Sequence, residues 1–184
     1  MAKLVSKVYG DALFELAIEE DKLESVWDEV RVISQALKDN PEFLPTLKHP
    51  DMSMERKQAL LKEVFADKLS TDVMGLLDVM VRKNRIGDLN KVLDYFETRA
   101  KERQKIGVVE VRTPVALSEA DKKKVEARVL EVTDFASLEM NYKVDESLLG
   151  GMVIRIGDQV LDNSIRSKLE AMGRQLASVR LSGC

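Results

Sequence analysis

The side chains best suited to catalysis or metal binding are few and scattered in this chain. The sole histidine, His49, lies in Lys48-His49-Pro50-Asp51 between two expected helices, and the sole cysteine, Cys184, is the last residue. A zinc site needs three or four converging ligands, so His49 reads as a loop residue and no metal is expected. Gly150-Gly151 and Gly157 invite a phosphate-binding reading. They fit neither G-x-x-x-x-G-K-[ST] nor G-x-G-x-x-G, and no strand runs directly into a glycine loop and a helix start. Turns that need positive φ or close backbone approach explain them instead. Arg155, within an expected strand, suits an ion pair with a partner's carboxylate, an ion pair within the chain, or plain solvation. Glu19-Glu20-Asp21 and Lys122-Lys123-Lys124 read as solvated helix ends or faces. The eight methionines are spread along the chain, which suits core filling. With no nucleophile beside a base and no paired carboxylates, neither an enzyme nor a cofactor is expected.

The elements that would position these residues follow from periodicity. Leu23, Val26, Trp27, Val30, Ile33 and Leu37 share one helical face. Asn40-Pro41 should end that helix, and a short turn of helix is expected over 42–47. Ser53 and Ser70 are expected caps. The first would open a helix burying Leu60, Leu61, Val64 and Phe65, the second one burying Val73, Leu76, Leu77 and Met80. Ile86, Leu89, Leu93, Phe96 and Ala100 carry the spacing through a last long helix. About six helices over residues 1–105 predict a bundle. Near Gly107 the period changes to two: Val109, Val111, Thr113 and Val115 alternate with Glu110, Arg112 and Pro114. A capping box at Ser118-Glu119-Ala120-Asp121 predicts a helix to about Val132. Strands are expected over 138–144 and 152–156, then a tight Gly157-Asp158 turn. A final helix is expected to start between Asp162 and Lys168, with Ile165, Leu169, Met172 and Leu176 as its apolar stripe. The expected fold is therefore mainly α: a six-helix domain over 1–105 and a small α/β domain over 106–184, ordered strand-helix-strand-strand-helix.

Composition narrows the class of partner. A hydrophobic content of 45% suits a globular protein. The 29 basic and 32 acidic residues leave a net charge of −3, so no nucleic-acid partner is expected. One cysteine permits no intramolecular disulfide, consistent with a reducing compartment. No signal-like or targeting segment opens the chain. No run approaches the ~18 apolar residues of a membrane span, so any membrane association is expected to run through a partner.

The block Asp145 to Leu176, D-E-S-L-L-G-G-M-V-I-R-I-G-D-Q-V-L-D-N-S-I-R-S-K-L-E-A-M-G-R-Q-L, resembles the signature of the delta subunit of F-type ATP synthases, homologous to the mitochondrial oligomycin-sensitivity-conferring protein. Val8-Tyr9-Gly10-Asp11-Ala12-Leu13-Phe14 is similar to the family's first helix, and Asn84-Arg85-Ile86 to its N-x-R-L/I junction. The resemblance covers nearly the whole chain. It implies a bacterial stator subunit, one copy in a hetero-oligomeric complex on the cytoplasmic face of the inner membrane, that ties the catalytic head to the peripheral stalk. Its partners would be the amino-terminal helix of an alpha subunit and a b-type stalk subunit.

One residue pattern asks for a partner independently. Leu4, Val5, Val8, Tyr9, Ala12, Leu13, Leu16 and Ala17 span an arc of roughly 220°, about twice the stripe that one core face needs. Either the first helix is buried on several sides or it borders an apolar groove. Val79, off the stripe of the fifth helix, raises the same question, and together they suit an amphipathic partner helix. By position, the resemblance implies Tyr9, Ala12, Leu13, Val79, Met80 and Lys83 for the head contact. For the stalk it implies a region from about Gly150 to Leu181, with Arg155, Met172 and Leu176 as candidates. The alternative from another class is a non-catalytic helical adaptor in an unrelated assembly.

Overall fold

The computed structural model describes residues 2–65, 68–169 and 172. Up to Arg103 the helical spacing is realised as α1 (Ala2–Glu19), α2 (Leu23–Asp39), α3 (Phe43–Lys48), α4 (Met54–Phe65), α5 (Thr71–Arg82) and α6 (Leu89–Arg103), with a 3-10 turn at Ile86–Asp88. By packing, the chain divides into two units, Met1–Lys101 and Glu102–Cys184.

In the first unit, α2 buries Val26, Trp27, Val30, Ile33 and Leu37, the face that spacing selected. α6 buries Leu89, Val92, Leu93, Phe96 and Ala100. Phe14 of α1 meets Phe96 edge-on at 6.2 Å between ring centroids. Ser70 caps α5, its Oγ accepting from the Val73 amide. Its own N–H and hydroxyl both donate to Glu29 Oε2 at 2.8 Å, which pins the start of α5 to α2. Two helices stop by the same device. After α5, Asn84 takes φ 54° while the Arg85 amide donates to the Met80 carbonyl and the Asn84 amide to that of Val81. After α1, Asp21 takes φ 54° with Lys22 bonded to Ala17 and Asp21 to Ile18. A left-handed residue carrying this pair of bonds satisfies carbonyls that a helix end would otherwise leave open.

The second unit is a four-stranded sheet ordered β2-β1-β3-β4, where β1 is Ile106–Thr113, β2 Ser137–Val144, β3 Val153–Ile156 and β4 Gln159–Asp162. α7 (Glu119–Val132) connects β1 to its parallel neighbour β2, as a parallel pair requires. β3 and β4 are antiparallel additions on the other side of β1. Ser118 caps α7 through the Asp121 amide. Val109 and Val111 of the central strand pack with Val129 of α7 and Ile154 of β3 as the core.

β4 corrects the expectation of three strands. Ile156 pairs with Gln159, so Gly157-Asp158 is a two-residue hairpin loop and the chain turns back as a strand. Gly157, at the first central position, has φ 56°, the glycine placement of a type II′ turn. Helical residues then begin at Ile165, three positions after Asp162. Four residues with two adjacent apolar ones carry no visible alternation, and all four are exposed, which is why the spacing predicts no strand between the turn and the helix.

Candidate functional site

α1 has two working faces. On one, Gly10 is buried against α6 so closely that a Cβ would come within 2.4 Å of Tyr95 Cδ1. Next to it Asp11 accepts a hydrogen bond from the Tyr95 hydroxyl at 2.8 Å and faces Arg99 Nε at 3.6 Å. The Arg99 guanidinium lies over the Phe14 ring, 5.1 Å from its centroid. These contacts fix the rotation of α1 about its axis.

The other face borders a groove of about 320 Å³ between α1 and α5. α1 contributes Val8, Tyr9, Ala12, Leu13 and Leu16, and α5 contributes Asp72, Gly75, Leu76 and Val79. Leu13 is buried and forms floor, whereas Val8 and Val79 stand 57% and 43% exposed on the two walls. The wide apolar arc of α1 thus has a physical account: Leu13, Phe14 and Ala17 are buried, and the flank through Val8 and Ala12 is open. Such a groove suits the apolar face of an amphipathic helix.

Of the head-contact residues expected from sequence, Tyr9, Ala12, Leu13 and Val79 are brought together here. Met80 is a correction. It is completely buried in the core, because it continues the Val73, Leu77 face of α5, and it presents no surface to a partner. Lys83 is exposed at the C-cap of α5 but does not line the groove. Sequence reasoning missed Asp72 and Gly75, and it assigned Leu76 to the core. A glycine in the middle of an otherwise regular helix was the available signal.

In the second unit the glycines of the signature form a clasp. Gly151 has φ 80°, and a Cβ there would lie 2.3 Å from the Asn163 carbonyl oxygen. The flanking backbone closes the contact, with Asn163 N–H donating to Met152 O at 3.0 Å and Ile165 N–H to Gly150 O at 2.9 Å. Asp162 accepts from the Ser164 amide and the Ser167 hydroxyl, and these bonds hold its carboxyl below the usual range. The signature therefore locks the start of the last helical segment to the sheet. Of the stalk candidates, Arg155 is exposed with its Nε donating to Gly157 O at 3.1 Å, Met172 is helical and 57% exposed, and Leu176 lies outside the described residues. Arg155 stands opposite Glu110 in the sheet register. Hydrogen bonds from Lys143 first and Arg112 second, at 2.8 and 2.6 Å, hold the Glu110 carboxyl down to about 2.

Among the described residues, no three His, Cys, Asp or Glu side chains converge as a metal site would require, and no helix is long and apolar enough to cross a membrane. Comparison with known sequences settles the kinship. The profile described as "ATP synthase delta (OSCP) subunit" matches residues 5–176. The chain belongs to the ATP synthase delta (OSCP) subunit family. A relative from Lachnoclostridium phytofermentans called "ATP synthase subunit delta" is 39% identical, over 98% of this chain and all of its own length. Another of the same name from Halalkalibacterium halodurans is 34% identical over 95% of each. In fold, this member of the delta family resembles a chain in the cryo-EM structure of the Toxoplasma gondii mitochondrial ATP synthase hexamer. The TM-score is 0.75 at 24% identity, covering 94% of this chain and 97% of that one.

Proposed function

We propose that this chain is the static clamp of a bacterial F-type ATP synthase, joining the catalytic head to the peripheral stalk so that proton-driven rotation is coupled to ATP synthesis. Residues 1–105 take the amino-terminal helix of an alpha subunit into the α1–α5 groove, on Tyr9, Ala12, Leu13 and Val79. Residues 106–184 take a b-type stalk subunit, with Arg155, Met172 and Leu176 as the contact candidates. One copy serves each complex, on the cytoplasmic face of the plasma membrane, and it is held there by its partners.

The observation that carries this reading is the open apolar groove, whose walls are the two helices that the family resemblance assigns to the head contact. Rotor torque would turn the head unless a static link resisted it. The clamp therefore needs a slow off-rate and no chemistry of its own. The test is reconstitution. Membranes lacking the subunit should lose ATP-driven proton pumping while the detached head still hydrolyses ATP, and the full chain should restore pumping. Neither half, 1–105 or 106–184, should restore it alone. Full pumping with the helical half alone would overturn the clamp.

A further inference from the structure

A glycine inside a helix normally answers to its own protein: a neighbour fills the place of its missing Cβ, or its backbone takes an angle that L-residues avoid. Gly10 meets the first condition through Tyr95. Gly75, in the middle of α5, meets neither. A Cβ built there touches nothing within 4 Å, and its φ is not positive. Alanine would make a better helix at this position, so nothing found inside the fold accounts for the glycine.

Its surroundings point outward. Gly75 lines the α1–α5 groove and also a second hollow of about 500 Å³ on the other flank of α5, bordered by Gln58, Lys62, Asp78 and Arg82. Thr71, Gly75 and Val79 are spaced four apart, so they form one side-chain ridge along α5. The ridge is interrupted at Gly75, and across the groove the small side chain of Ala12 is exposed on α1. Helices pack by laying ridges of one across gaps of the other, and a missing side chain lets the axes approach more closely.

We infer that Gly75 is a specificity-determining residue of the groove: the amphipathic partner helix crosses α5 at this notch, and its contact ridge takes the volume that any side chain at position 75 would fill. The inference rests on the reading of the groove as the seat of the alpha-subunit helix. It makes glycine a requirement of binding at a position where folding favours another residue.

The test uses the full chain and a synthetic amino-terminal peptide of the cognate alpha subunit, with affinity read by calorimetry and stability by thermal melting. Gly75→Ala should raise the melting midpoint by roughly 2–4 °C. It should also weaken binding about tenfold, and Gly75→Leu about a hundredfold, the range expected for overpacking a close contact. Opposite signs in the two readouts are the signature, since a purely structural glycine would move both together or leave binding alone. If wild type binds, Ala12→Asp does not, and both Gly75 variants bind like wild type, the notch is overturned and the seat survives. A lower melting midpoint for Gly75→Ala would overturn the premise that the fold has no use for the glycine. Failure of the wild-type chain to bind the peptide would overturn the notch and the seat together.

Discussion

The helical unit and the sheet unit bury their apolar side chains to different degrees. In the first, Val30, Ile33, Leu47, Val73, Leu77, Met80, Val92, Phe96 and Ala100 are completely buried, and the open flank of α1 through Val8 and Ala12 borders a defined groove, with Leu4 exposed outside it. In the second, only Val109 and Val111 of the central strand reach that state among the described residues, while Leu161, Ile165, Leu169 and Met172 are 46 to 66% exposed. The cause is architectural. The single core of the sheet unit joins Val109, Val111 and Ile154 to Val129 of α7, and all four residues of β4 lie exposed outside it. A bundle can complete its core internally; a small sheet under one helix gains proportionately more of its order from backbone ladders and turns. On the proposed reading, a partner of the helical unit meets a preformed shape, and a partner of the sheet unit supplies much of the missing cover.

The largest expected effect tests the preformed shape. Ala12 is exposed on the groove wall, so Ala12→Asp should leave the fold intact. It should nevertheless bury an unpaired carboxylate once the alpha-subunit helix docks, at a cost of several kcal/mol, or about three orders of magnitude in affinity. Calorimetry with the peptide measures it. Unchanged affinity in a folded mutant would remove the groove as the head contact and leave the wide apolar arc of α1 without a use.

Next in size is the clasp of the sheet unit. Gly151→Ala asks a residue with a Cβ to hold φ 80° with the Asn163 carbonyl oxygen only 2.3 Å away, and the obstacle is backbone that cannot rotate aside. We expect a loss of about 3 kcal/mol, felt by the second unit alone. Amide exchange should accelerate across β3, β4 and residues 163–169 and stay unchanged in α1 to α6. Uniform acceleration would mean that the two units unfold as one.

These two substitutions mark what was legible in the sequence. Regular spacing over long windows identified the buried face of α2 and, apart from Val92 and with Ile86 falling in the 3-10 turn ahead of it, that of α6. The caps at Ser70 and Ser118 located two helix starts, since hydroxyls at those points satisfy amides that the helix leaves open. β4 was not legible because four exposed residues carry no period. The groove was half legible. The excess apolar arc of α1 announced it, but Met80 and Leu76 lie close together on the face of α5, and only packing shows that the first is core and the second wall. The role of Asp11 was hidden because it depends on Tyr95 and Arg99, far along the chain.

A smaller effect concerns electrostatics on the open face of the sheet. Bonds from Lys143 and Arg112 lower the Glu110 carboxyl from 4.5 to about 2. A folded-state value below the unfolded one stabilises the protein fully above the unfolded value, and the gain is lost as pH falls from about 4.5 toward 2. Glu110→Gln should therefore flatten the dependence of stability on pH in that interval and lower stability modestly at neutral pH, where the screened ion pairs to Lys143 and Arg112 are both lost. Titration of the carboxyl resonance checks it directly, and a midpoint near 4.5 would show that the pairs do not persist in solution.

The smallest effect isolates conformation from crowding. Both units make left-handed turns: the helical unit uses Asp21 and Asn84 at φ 54°, and the sheet unit uses Lys105 at φ 53° together with Gly151 and Gly157. Asn and Asp tolerate this region because their short polar side chains bond locally, and that suffices where only the backbone angle matters. Gly151 has a carbonyl against it as well, which no side chain tolerates. Asn84→Gly should accordingly raise stability by about 0.5 kcal/mol, with relief of the left-handed strain partly offset by the freer unfolded chain. Asn84→Ala should lower it by about 1 kcal/mol, because alanine pays the strain without the local bonding. Denaturant titrations of the three proteins order them as Gly, Asn, Ala. A destabilised Asn84→Gly would mean that the asparagine side chain, exposed beside the α5 cap, contributes a bond beyond the turn.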